Sequence, residues 1–162
     1  RLSKWDKSGI IWWNIQDGWP QFSDAVCDYY GQKKLAYYYI KRVQKPVVLM
    51  MREPQNWHLE VVVANDGSKD AKGEYEVIDA DTGETVLAGE FFSPANENTA
   101  VGRVRVSTGA HKLFLLKLHV GGETVVNHYL HGKPPFDLEK YRSYLRQIAA
   151  LDRSFDADSV AK

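Results

Sequence analysis

KLFLLKLHV, GG and ETVVNHYL, residues 112–120, 121–122 and 123–130, decide how this chain is read. Phe114, Leu116 and Leu118 alternate with Leu115 and Lys117, the period-two spacing of a strand with one face turned inward. Gly121-Gly122 supplies a two-residue hairpin turn before the next strand. The same period reaches back to Val47. Further strands are expected over about Val47–Arg52, Trp57–Asn65, Gly73–Ala80, Thr85–Phe92 and Thr99–Val106. Within them Tyr75 and Val77 oppose Glu74 and Glu76, and Val104 and Val106 oppose Arg103 and Arg105. Asn65-Asp66-Gly67 and Asp81-Thr82-Gly83 mark turns. Seven short strands with such turns predict an immunoglobulin-like β-sandwich over residues 46–136. Cys27 is the single cysteine, so no internal disulfide braces the sheets.

Beyond Pro134-Pro135 the period becomes helical. Leu138, Tyr141, Leu145 and Ile148 fall on one stripe, Asp137 is placed to cap the helix, and residues 137–162 read as this helix followed by a frayed tail. The balance of 21 Lys+Arg against 21 Asp+Glu excludes the basic excess that nucleic acids and anionic membranes select. No apolar run approaches the ~18–20 residues of a membrane-spanning helix. A chain that is 44% hydrophobic and 26% charged has enough apolar material for a packed core.

Residues 1–45 are of a different kind. Four of the five tryptophans and five of the nine tyrosines lie before residue 40, and the chain opens on Arg1 without a methionine, as a segment of something longer would. Gly9–Ile15 is a β-branched and aromatic run with little polar relief, expected to be a strand buried on both faces. A loop punctuated by Asp17-Gly18, Trp19-Pro20 and Tyr30-Gly31 follows, then a helix over Gln32–Val43 that ends in Lys41-Arg42 before Pro46. A buried parallel strand needs a neighbour on each side. Residues 1–45 are therefore expected to be the last βα unit of a larger α/β domain, most economically a (β/α)8 barrel. In such barrels the strands' C-terminal ends carry the active site, which directs attention to residues 13–19.

The stretch Ser8-Gly9-Ile10-Ile11-Trp12-Trp13-Asn14-Ile15-Gln16-Asp17-Gly18-Trp19-Pro20, followed by Asp28-Tyr29-Tyr30-Gly31 and the helix, resembles the end of the catalytic barrel in glycoside hydrolase family 2. The similarity is to its β-mannosidase and exo-β-glucosaminidase subgroup, which Asn127-His128-Tyr129 and Gly132-Lys133-Pro134-Pro135-Phe136 also resemble. The resemblance implies a barrel followed by an immunoglobulin-like domain, in an exo-acting enzyme that cleaves a terminal β-linked sugar with retention and needs no cofactor. It places Trp13 as the apolar floor of the sugar subsite; Asn14, Gln16 and Asp17 are of the chemical type for its rim, with Asp17 alternatively a turn former before Gly18, and Trp19 is either a subsite wall or a loop anchor. Gln16 departs from the asparagine common at its position. An indole beneath the apolar face of a pyranose and amide or carboxylate groups at its rim suit that task on chemical grounds. Both catalytic glutamates would lie upstream of Arg1, so no catalytic residue is expected in this chain.

Retaining hydrolysis needs two carboxyl groups about 5–5.5 Å apart. Asp17 and Asp28 sit in the aromatic loop, but nothing between them is set to hold a substrate, and they are not read as such a pair. No metal site is expected. His128 and His131 fall on opposite faces of a strand and read as surface or interface residues. Tyr37, Tyr38 and Tyr39 read as packing toward the absent barrel, and Lys33-Lys34 and Lys41-Arg42 as solvated helix positions. Expected partners are a carbohydrate substrate in the full-length enzyme and the upstream barrel, with association of copies through exposed apolar surface a further expectation. Neither nucleic acid nor membrane is among them. Secretion or a periplasmic home suits a glycan-degrading parent, with a lysosomal home as the other option. The alternative function is a noncatalytic immunoglobulin-like module that binds carbohydrate or protein; a third reading has the sandwich only buttressing the barrel.

Overall fold

In the computed structural model, which describes residues 1–7 and 9–151, the alternating segments form seven strands: β1 (Val47–Met51), β2 (His58–Asn65), β3 (Ala71–Asp79), β4 (Thr85–Ser93), β5 (Asn98–Arg105), β6 (Lys112–Val120) and β7 (Glu123–His131). They pair antiparallel in two sheets, one ordered β1-β2-β5 and the other β4-β3-β6-β7. This is the expected mainly β architecture. The fourth strand pairs with the third at the edge of the larger sheet. One helix precedes the strands, α1 (Leu35–Val43), and one follows, α2 (Leu138–Ala150). The chain divides into two compact units: Arg1 with Ser3–Lys45, and Leu2 with the residues from Pro46 onward. Ser8, which opens the aromatic motif, and the tail expected to fray from residue 152 lie outside the described residues.

The sandwich core follows from the alternation. Tyr75, Val77, Val104, Val106, Phe114, Leu116 and Leu118 are all buried in one cluster with Leu59, Val61, Val63 and Phe91. Polar bonds run between the sheets. The Asn127 amide of β7 donates to the Leu49 carbonyl of β1 at 3.0 Å. The Tyr75 hydroxyl of β3 donates to the Val101 carbonyl of β5 at 2.8 Å. Val101 is the extra residue of a bulge, since Val61 pairs with Gly102 and Val62 with Ala100. A bulge leaves its extra residue outside the ladder, so that carbonyl is free to accept across the core. At one corner the Asn65 side chain donates to the carbonyls of Lys69, Ser93 and Pro94 and accepts from Gly67 N–H, which satisfies a fully buried amide.

Helix α2 begins as expected, with the Asp137 carboxylate accepting from Lys140 N–H at 2.7 Å. Its buried stripe is shifted. Leu145 and Ile148 are buried, but Leu138 is exposed and Tyr144 and Ala149 take its place. The Tyr144 hydroxyl explains the shift: it donates to Asp81, which also pairs with Lys140 at 3.0 Å, and these bonds turn Tyr144 inward.

The expected strand over Gly9–Ile15 does not form; those residues have neither strand nor helix, and their side chains are exposed. A strand ladder needs partners, and no strand pairs with this segment among the described residues. The helix after it does form, starting at Leu35 rather than Gln32. Arg42, expected in solvent, is buried with its guanidinium 5.9 Å from the Tyr39 ring centroid.

Candidate functional site

The loop from Trp12 to Lys34 is closed by backbone bonds before any side chain enters. Val26 N–H donates to Asn14 carbonyl, Cys27 N–H to Ile15 and Asp17 N–H to Cys27, so residues 14–17 run beside 26–27. Lys34 N–H then donates back to Val26. Asp28 forms the next turn, its carboxylate accepting from Gln32 N–H at 2.7 Å beside Gly31, whose φ of 80° is a conformation glycine accommodates.

Asp17 is the hub of this loop. It is 5% exposed, and its carboxylate accepts from the Ser23 hydroxyl, from Gln21 Nε2 at 3.4 Å and from Lys34 Nζ at 2.9 Å. Lys34 Nζ also reaches the Ser23 carbonyl at 3.2 Å. The Ser23 hydroxyl and then Lys34 hold the Asp17 carboxyl below the ordinary carboxylate range, outweighing desolvation. A general acid requires the opposite shift. Asp17 and Asp28 both spend carboxylate oxygens on loop geometry.

The other three expected site residues face solvent. Trp13 is 75% exposed, Trp19 is exposed and so is Asn14; the Trp13–Asn14 peptide is cis. The structure thus brings an exposed aromatic strip onto a loop pinned from below by Asp17. Gln16 is drawn to the loop, with its amide 3.3 Å from the Tyr29 carbonyl. Sequence reasoning missed Ser23 and Lys34. Lys34 was expected on a solvated helix face, and nothing local signals a partner at Asp17. His131, expected at a surface or an interface, is buried at the end of β7.

No family model matches the chain. Among curated proteins it is similar to β-mannosidase B of Aspergillus niger, 32% identical over 92 residues that cover 48% of this chain and 11% of that one. It is likewise similar to β-mannosidase B of Aspergillus terreus, 29% identical with the same coverage. Among solved structures it is similar to a β-D-mannosidase from Dictyoglomus thermophilum, with a TM-score of 0.57 and 25% identity over 74% of this chain and 16% of that one. The chain spans about 11% of the length of these curated relatives. In sequence over about half its length, and in fold over about three-quarters, the chain is β-mannosidase-like.

Proposed function

We propose that this chain is the C-terminal portion of a retaining, exo-acting glycoside hydrolase of the β-mannosidase type. It contributes a sugar-subsite loop and an accessory β-sandwich. The observation that carries this reading is the exposed strip Trp13-Asn14 to Trp19, fixed on a loop by buried Asp17, in a chain similar to β-mannosidases. In this reading residues 1–45 complete an upstream (β/α)8 barrel, residues 46–136 are the sandwich, and residues 137–162 are a helix and tail. The exposed Ile10, Ile11, Ile15 and Phe22 support it, because large apolar groups in such number serve a neighbour that covers them.

The division of labour follows from the chemistry. The Trp13 indole offers a face to the apolar side of a pyranose, and Asn14 offers an amide to its hydroxyl rim. Trp19 walls the subsite. Asp17 acts through the loop, holding both tryptophans in place. The two carboxyl groups of the retaining reaction come from the upstream domain.

The test is an aryl β-mannoside assay. The 162-residue chain alone should show no turnover, whereas the longer protein that carries it should hydrolyse the substrate and release the β anomer first, as read by proton NMR. Trp13→Ala in that longer protein should lower kcat/KM by roughly 100-fold, about 2.7 kcal/mol of transition-state stabilisation. Turnover by the short chain, abolished by Asp17→Ala, would sink the proposal.

A further inference from the structure

The turn between β1 and β2 carries a side chain that its backbone does not favour. Gln55 N–H donates to His58 carbonyl at 2.9 Å and His58 N–H donates back at 3.0 Å, which leaves Asn56 and Trp57 as the two corner residues. Their φ angles are 49° and 66°. Positive φ at both corners marks a type I′ turn, whose sequence preference is Asn-Gly. The β6–β7 hairpin shows the ordinary solution within the same sandwich: Gly121 and Gly122 hold φ of 59° and 80°. A tryptophan at the second corner is opposed by its Cβ. Burial does not offset this, because Trp57 is 61% exposed. Folding alone does not account for an indole here.

Its surroundings point to a ligand. Trp57 borders a cleft of about 760 Å³, within the range of small-molecule sites, which Glu53, Asn56, His111, Tyr129 and His131 also line. The Tyr129 hydroxyl donates to the Glu53 carboxylate at 3.2 Å. Burial first, and then the Glu53 charge, push the Tyr129 pKa up to about 12, so the phenol keeps its proton. His131 is 9% exposed, and its ring makes no hydrogen bond among the described residues. An imidazole at the wall of a cleft with no protein partner is open to a bond from a group that enters it.

We propose that this cleft binds a neutral pyranoside, with the Trp57 indole against the apolar face of the ring and Glu53, Asn56, Tyr129 and His131 bonding its hydroxyls. The group types select this class. A hydroxyl both donates and accepts, and the carboxylate, amide, phenol and imidazole together offer both. An anionic ligand such as a phosphate would call for a cluster of cations in place of Glu53. The site contains none of residues 12–19, and it stands or falls separately from the hydrolase reading.

The experiment titrates the 162-residue chain with methyl β-mannoside, β-glucoside and β-galactoside by calorimetry and tryptophan fluorescence. At least one should bind saturably. Trp57→Gly should weaken that binding at least ~10-fold while leaving Tm unchanged or ~2–5 °C higher, because glycine suits the turn. Trp57→Phe should retain binding to within ~5-fold, since it keeps an aromatic face. No saturable binding by any of the three sugars overturns the proposal, as does unchanged affinity in Trp57→Gly. A fall in Tm for Trp57→Gly would show a packing role instead. Loss of binding in Trp13→Ala alone would move the sugar to the aromatic loop. Self-association abolished by Trp57→Gly would make this face a contact between protein chains. Each of these three outcomes also overturns it.

Discussion

Asp79, buried at the end of β3, shows how one carboxylate ties a turn to a strand. Desolvation is the largest single influence on it and raises its pKa, but the Lys112 ammonium and Asp81 N–H together outweigh burial, and the carboxyl sits below its ordinary value of 3.8. Glu76 is lowered as well, by the Thr85 hydroxyl first and then, against desolvation, by Lys117. A group whose folded-state pKa is depressed favours the folded chain fully above its unfolded pKa and loses that contribution as pH falls through the folded value. The Tm should therefore be level from pH 7 to about 5 and fall steeply below about 4. Asp79→Asn should cost about 1–2 kcal/mol at pH 7 and flatten the acid slope, as read by thermal melts at each pH. A parallel shift of the whole profile would show that Asp79 acts through packing rather than charge. Gly73 offers a sharper prediction. A Cβ there would stand 1.9 Å from the His119 backbone carbonyl, and backbone held in two ladders has no room to give. Gly73→Ala should lower stability by about 3 kcal/mol or more in urea melts, whereas Gly83→Ala, open to solvent at φ 75°, should cost only about 1 kcal/mol.

At the level of elements, the two ends of the chain differ in how legible they were. Strands β1–β7 were readable because each alternation meets its sheet within the chain; Tyr75 and Val77 needed only the period to be assigned inward. The helix α2 was readable in its cap and two of its core positions. A further one, Tyr144, was not, because the decision rests with Asp81, 63 residues away, which accepts the phenol. A contrast between variants tests this. Leu145→Ala should cost about 2–4 kcal/mol and Tyr144→Phe about 1 kcal/mol, while Leu138→Ala, although on the sequence-derived stripe, should cost under about 0.5 kcal/mol. Equal losses at Leu138 and Leu145 would restore the original stripe. The segment Gly9–Ile15 forms no strand for the converse reason: its composition suits a buried strand, but among the described residues no strand pairs with it. The aromatic loop was legible as a motif, since tryptophans and turn residues are local signals. The Asp17–Ser23–Lys34 hub was not, because its members are joined only once the backbone has closed the loop.

For the whole molecule, the decisive fact is where the core lies. Every residue of the main cluster falls between Val48 and Val125, so the sandwich holds its own buried apolar surface, and α2 separately buries Tyr144, Leu145, Ile148 and Ala149. Residues 3–45 instead expose Trp5, Ile10, Ile11, Trp13, Ile15, Trp19 and Phe22, with Ile11 at 94%. A chain of zero net charge has little electrostatic repulsion to keep such surfaces apart. These two properties separate in experiment. Residues 46–151 expressed alone should unfold in a single cooperative urea transition and elute as a monomer, without enhancing the fluorescence of an apolar dye such as ANS. The 162-residue chain should enhance that dye and elute above its 18.5 kDa monomer mass, and Ile11→Ser with Phe22→Ser should reduce both signals without moving the sandwich transition. If the shorter piece fails to unfold cooperatively, the sandwich draws stability from residues 1–45 and the assignment of a self-contained core is wrong. If instead the serine variant associates as strongly as the parent chain, the sticky surface lies elsewhere, and the cleft beside Trp57 becomes the next surface to mutate.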